Sequence, residues 1–319
     1  MTAPTELVLR AALIGEFEDL EDDIHRVAAE ETPFGSNIGK RKVKSIMPEW
    51  LIESLATPDE TAVALDGDDV STLDAAHHPA RRSVYMQINR KTGGVSRTSQ
   101  LSDRAGRADE VDYQKMIKGI EMRRDFEKRI VGNFASIAET GATTRKTAGA
   151  LAWIATNDAL GAGGSSGGWS SAGVVGAATS GTARTYTETL LKGVLVTAFT
   201  NGAKLSQCYV GGTHKQVMSA FTGIADIRAS VSNNNQATIY GAADTYVSDF
   251  GPITIIPHPY GLTADALLID PSGWDVGTYD GVKTVALAKT GDSDRFLMTM
   301  EKGLIAKNEL KGACIRALS

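Results

Sequence analysis

At 319 residues, 42% hydrophobic and only 6% aromatic, the chain is long enough to bury two ordinary cores. Its 33 Lys and Arg against 38 Asp and Glu give a net charge of −5, which argues against a domain that holds nucleic acid by neutralising phosphates, and Cys208 and Cys314 support no disulfide framework. No apolar run reaches the ~20 residues of a bilayer span and the N-terminus has no basic-then-apolar leader pattern, so a soluble protein of a reducing cytoplasm is expected.

Residues 1–57 read as an N-terminal arm. Within it, residues 18–31 place Leu20, Ile24 and Val27 at i, i+4 and i+7, which predicts one short amphipathic helix, stopped by Thr32-Pro33-Phe34-Gly35. A basic cluster, Lys40-Arg41-Lys42 and Lys44, follows. One helix with flanking tail encloses no core, so the arm must lie on something else.

Residues 58–104 are polar and rich in turn formers, with Asp66-Gly67-Asp68-Asp69 and His77-His78-Pro79 as breakers. Residues 84–88 and 95–98 read as strands around a turn at Thr92-Gly93-Gly94. The stretch reads as an extended β arm without a core of its own.

Residues 108–137 carry the strongest helical signal. Met116, Ile120, Met122, Phe126, Ile130, Phe134 and Ile137 form a slowly drifting stripe, and Glu121–Arg124 and Asp125–Arg129 stand at pairing distance along it. Thirty residues would run about 45 Å, a spine rather than a core helix. A second helical run is expected at 147–156. Residues 161–185 then contain eight Gly and five Ser; alone they would be flexible, so an ordered form is expected to need support from outside this chain.

The remainder reads as a compact α+β domain. A helix is predicted over 186–201, capped near Thr187 and closed by Gly202. A strand at 208–212, a helix at 213–221, a hairpin over 244–256 turning at Gly251-Pro252, a buried strand at 267–270, and tail strands at 296–300 and 303–307 complete it.

Chemical motifs fare poorly. Gly164-Ser165-Ser166-Gly167-Gly168 fits the hydrolase elbow pattern, but lacks the strand and helix that hold such a serine on a strained turn. Gly35 to Arg41 has one residue too few between its glycines for a phosphate loop, and Arg41 stands where a magnesium-binding hydroxyl belongs. His25, His77, His78, His214 and His258 show no metal-ligand spacing. Cys208 and His214 could form a thiol dyad, but the apolar setting of Cys208 suits a core residue better. Asp66, Asp68 and Asp69 lack the other ligands of a calcium loop. No catalytic residue, cofactor or metal is assigned. Lys40, Arg41, Lys42, Lys44, Arg81, Arg82, Arg90, Lys91 and Arg97 stand as candidate subunit-interface residues, docking onto acidic faces of other copies such as the 18–31 helix, or as ordinary solvated charge.

The order of arm, extended loop, spine helix, α+β domain and returning β tail resembles the Hong Kong 97-type major capsid proteins of tailed double-stranded DNA bacteriophages. The resemblance is carried by Asp22-Asp23-Ile24, Glu31-Thr32-Pro33-Phe34, Glu49-Trp50-Leu51, Gly106-Arg107-Ala108-Asp109-Glu110, Arg124-Asp125-Phe126-Glu127, Arg145-Lys146, Gly149, Trp153, His214-Lys215-Gln216, 246–251 and Glu301-Lys302-Gly303-Leu304. It covers about 13–318, and the order and spacing persuade rather than any single motif.

The resemblance implies an α+β capsid fold with 58–104 as extension loop over a neighbouring subunit, 105–185 as peripheral domain with the spine helix, 186–282 as axial domain around hexamer and pentamer centres, and 283–319 as strands returning to the peripheral domain. It implies an icosahedral shell around phage DNA, assembled in the host cytoplasm and found in the virion. Partners would be other copies, a portal, scaffolding or decoration proteins, and weakly contacted DNA, with no membrane. No lysine crosslink is expected, since nothing local activates Lys91, and the early arm helix leaves no room for a cleaved scaffolding segment inside this chain. An encapsulin-type cargo shell and a cytosolic hydrolase are the alternatives.

Overall fold

The computed structural model describes residues 31–63, 66–67, 73–102, 109–221, 245–289 and 291–319; the arm helix expected at 18–31 lies outside them save its last residue. Residues 33–43 are sewn into the body. Helix α1 (Pro33–Asn37) is a single turn begun by proline, and strand β1 (Gly39–Lys42) follows it. Phe34, Ile38 and Val43 are buried, and these apolar anchors hold the basic strand to the surface.

Strand β2 (Glu49–Ile52) pairs antiparallel with β3 (Ala80–Ser83) as a narrow ribbon. Every described residue of 53–79 beyond it is exposed. Strand β4 (Gln87–Ser96) is continuous, where two strands about a turn were expected. Gly93 and Gly94 are extended rather than turned, and the Phe296 ring fills the space a side chain at Gly93 would need. These glycines serve packing. Helix α2 (Arg97–Leu101) is capped by Ser96.

The spine helix α3 (Glu110–Val131) has 22 residues, about 33 Å rather than the expected 45 Å. Asp109 caps it by accepting the N–H groups of Val111 and Asp112, and Gly132 ends it. Phe134 and Ile137 continue the apolar stripe in sequence but lie in extended chain, with Ile137 bridging Lys146. The expected helix ion pairs do not form, because their members meet other partners, on other elements or elsewhere on α3. Glu121 meets Lys91 and Lys118, and Asp125 meets Lys91. Arg124 donates to the Tyr260 hydroxyl, and Arg129 donates to the carbonyls of Thr147 and Ala135. Burial lowers the Arg129 guanidinium to about 10.

The helical run expected at 147–156 shrinks to one turn, α4 (Ala150–Trp153). The Gly/Ser-rich tract is ordered by its own chain, correcting the expectation of outside support. Strand β5 (Asp158–Ala159) precedes a hairpin of β6 (Gly168–Ser171) and β7 (Val174–Gly176). Ser165 bridges Thr179, Arg184 bridges Leu318, and Asn133 exchanges two hydrogen bonds with the Ala178 backbone. Small residues are required here by close backbone approach: Gly161 has φ +87° and faces the Thr182 carbonyl. Low complexity in this tract reflects tight packing rather than mobility.

Helix α5 (Glu188–Thr200) is capped by Thr187 and followed by Gly202 at φ +82°, as the caps predict. Strand β8 (Gln207–Val210), helix α6 (Gly212–Ser219), β9 (Thr245–Ser248), β10 (Gly251–Pro257) and β11 (Ala266–Ile269) follow. Strand β12 (Trp274–Leu287) is long and was not anticipated. Strand β13 (Ser293–Ala306) joins the two expected tail strands into one, and β14 (Gly312–Ile315) closes the fold.

These strands form a four-stranded sheet, β1-β12-β13-β4, and a six-stranded sheet, β5-β14-β11-β8-β10-β9. The segment 283–319 is therefore divided between the two. Period-2 alternation makes the six-stranded sheet a shared wall. Cys208, Val210, Ala266, Leu268, Ala313 and Ile315 face the core under α5 and α6. Tyr209, Leu267, Ile269 and Cys314 face the other core, which also receives Phe34, Met122, Phe126, Ile130 and Trp274.

Candidate assembly surfaces

A buried carboxylate joins three parts of the fold. Glu127 of α3 accepts the Phe34 N–H at 2.7 Å and the Gly35 N–H at 3.0 Å. His258, just after β10, lies 3.1 Å away through Nε2, and both side chains are almost fully removed from solvent. One side chain thus ties the entry of the N-terminal segment, the spine helix and the six-stranded sheet. Sequence reasoning missed it, since Glu127 sits among six other charged residues between 121 and 129 and only its phase on the helix, one step from Phe126, hints at burial.

The nine candidate cations divide by their partners. Arg81 pairs with Glu49 across the β2–β3 ribbon at 3.3 Å, and Arg97 with Asp292 at 3.0 Å. Arg82 lies over the Trp169 ring at 4.0 Å, and Trp50 packs on Trp153, so the ribbon is clamped to the body at its base. Lys91 pairs with Asp125 at 2.6 Å and lies 3.7 Å from Glu121. The hydrogen bond to Asp125 raises the pKa of its ammonium, which keeps it protonated. These four serve the chain's own fold. Lys40, Arg41, Lys42, Lys44 and Arg90 are exposed and form no ion pair among the described residues.

Two exposed apolar surfaces stand apart from the cores. Leu55, Val63 and Leu73, in the sequence between β2 and β3, are 85–90% exposed. Residues 45–80 also contain eight acidic residues and no Lys or Arg, a charge bias legible in the sequence. On the far side of the molecule's second core, Phe199 of α5 stacks on Phe250 between β9 and β10 at 4.6 Å. With Val196 and Val247, both more than half exposed, they make a bare patch.

The SU10 major capsid protein family matches the chain over residues 2–319. The chain belongs to that family. The capsid protein is similar to the major capsid protein of Escherichia phage Phieco32, 24% identical over 313 residues and 88% of each chain. Its fold is that of the Hong Kong 97 type. The capsid asymmetric unit of cyanophage A-1(L) matches at a TM-score of 0.66 and 11% identity, over 97% of this chain and 98% of the other. The SrpI encapsulin of Synechococcus elongatus PCC 7942 matches at 0.52 and 10% identity, over 93% and 92%. The shared fold does not separate phage capsid from encapsulin; the full-length family match does.

Within the capsid protein the enzyme-like motifs have structural employment. Ser166 lies near Asp158 within the packed Gly/Ser tract, and no helix directly follows it. Burial pushes the Cys208 thiol up to about 12, and His214 bonds the Thr263 carbonyl and stacks edge-on to Tyr186. Among the described residues no group of three or more His, Cys, Asp or Glu is placed to hold a metal ion, and no helix is long and apolar enough to cross a membrane.

Proposed function

We propose that the capsid protein tiles an icosahedral shell around phage double-stranded DNA as hexamers and pentamers, assembled in the host cytoplasm. The observation that carries this arrangement lies between β2 and β3, an acidic stretch of sequence whose Leu55, Val63 and Leu73 are almost fully exposed and gain burial against another copy. In this reading the segment is the extension loop laid over a neighbour, and Arg41, Lys42, Lys44 and Arg90 supply unpaired cations for acidic surfaces of other copies. The spine helix and four-stranded sheet form the peripheral part. The six-stranded sheet with α5 and α6 forms the axial part, and the Phe199–Phe250 patch packs between copies around capsomer centres. Many modest contacts then close the shell through multivalency, and the net charge of −5 suits a container that contacts its DNA weakly. A portal, and scaffolding or decoration proteins, are the remaining partners, and the protein acts without catalysis.

Electron microscopy of the purified protein tests this reading. Closed icosahedral shells are expected, and charge reversal at Arg41, Lys42 and Lys44 together should leave folded subunits that no longer close. A monodisperse monomer at every concentration and salt would overturn it.

A further inference from the structure

The spine helix leaves part of its apolar stripe uncovered. Met116 is half exposed, as is Val282 on β12 across from it. Two adjoining grooves run here between α3 and the β12–β13 strands, joined at Arg123, Phe126 and Lys302. One end is lined by Thr32, Lys40 and Glu127, the other by Lys115 and Met116.

The groove is electrostatically unbalanced. Lys40, Arg123 and Lys302 form no ion pair among the described residues, and the oxygens of Glu127, the one carboxylate in the lining, already accept two backbone N–H groups and face His258. Burial, and then the charges of Lys40 and Arg123, lower the pKa of Lys302. Like charges gathered on a half-apolar surface call for an anionic, amphipathic occupant.

We propose that residues 18–31 of the same chain lie in this groove, parallel to α3. Three features of the chain select this occupant. Residues 18–31 carry seven acidic residues against the single Arg26, matching the cations of the lining. Leu20, Ile24 and Val27 make one apolar face, matching Met116, Ile120 and Phe126. The segment also ends at the groove's mouth, because Glu31 directly precedes Thr32. A 14-residue helix is about 21 Å long and the α3 stretch from Lys115 to Glu127 about 18 Å, so Leu20 falls beside Met116. Docked there, the segment neutralises the groove and completes the cover of the spine helix, and a second copy or a nucleic-acid phosphate would find it occupied.

Disulfide trapping in the full chain tests the placement. The pair is Leu20→Cys with Met116→Cys; Met116 is half exposed, and the native Cys208 and Cys314 are buried. Oxidation should give an intrachain link, running as monomer on a non-reducing gel, at least tenfold faster than in a Leu20→Cys with Val247→Cys control. Dimers linked between copies would overturn the proposal in favour of a neighbour's segment. A rate equal to the control would overturn it as well. As a second measurement, Arg123→Glu with Lys302→Glu should speed proteolytic removal of residues 1–31 severalfold, and Glu21→Lys with Asp22→Lys on that background should restore resistance. Unchanged cleavage, or protection found only in DNA-filled particles, would again overturn it. Shell formation is scored separately by microscopy, so a failure of this docking is distinct from a failure to assemble.

Discussion

Glu127 and His258 face each other at 3.1 Å with both side chains closed off from water, joining the spine helix to the sheet that divides the two cores. The same carboxylate receives the Phe34 and Gly35 N–H groups. Removing one member of a buried, hydrogen-bonded pair leaves the others unsatisfied. Glu127→Gln presents an NH₂ to at least one of these donors and is expected to cost about 3 kcal/mol. Denaturant unfolding of unassembled subunits measures the loss, and hydrogen exchange should show faster exchange at the Phe34 and Gly35 amides. Retained protection at those two amides would refute the role given to Glu127.

Arg145 is a second internal tie. Its guanidinium donates to the Met86 carbonyl at 3.0 Å and pairs with Glu139 and Glu301, each at 2.7 Å. Three acceptors from β13 and two loops converge on one planar fork, a geometry a lysine ammonium does not reproduce. Arg145→Lys keeps the charge yet should lower subunit stability by about 2 kcal/mol. A denaturation midpoint equal to the parent protein's would show that charge alone suffices.

Alkaline pH should destabilise the subunit. Burial raises the Cys208 thiol from 9 to about 12, and raises Tyr209 and Tyr246 from 10 to about 12; Cys314 is raised further. In each group the folded state holds its proton more tightly than the unfolded state. The stabilisation is therefore complete below pH 9 and is lost as pH rises toward 12. Urea midpoints should be level between pH 7 and 8.5 and fall steadily above 9. At pH 8 a thiol-reactive disulfide reagent should modify neither cysteine in native subunits and both in denaturant; a rapidly reacting native thiol would contradict their burial.

Gly149 precedes α4 at a crowded crossing. A side chain there would collide with the carbonyl oxygens of Gly132 and Arg129, at the end of the spine helix. Both neighbours are backbone, so relief requires moving α3 away from α4. Gly149→Ala should cost about 2 kcal/mol and reduce the yield of soluble subunits, whereas Gly141→Ala, with open space around it, should be neutral. Equal yields from the two variants would show that the crossing gives way easily.

By itself the sequence determined the elements whose signals are local. Thr187 and Gly202 bound α5 because capping depends on a few adjacent backbone groups; Met122, Phe126 and Ile130 mark the buried face of α3 by helical spacing alone. The ordered succession of these segments was enough to point to the capsid fold. Tertiary structure decided whatever depends on partners distant in the chain. It turned Gly93-Gly94 from an apparent turn into flat strand under Phe296, and ordered 161–185 through bonds to Asn133, Ser136 and Leu318. It also separated Lys91, matched by Asp125, from Arg41, which has no ion-pair partner among the described residues. Charge and glycine content are properties of a residue, but whether a charge is neutralised or a glycine is crowded depends on what the fold brings against it.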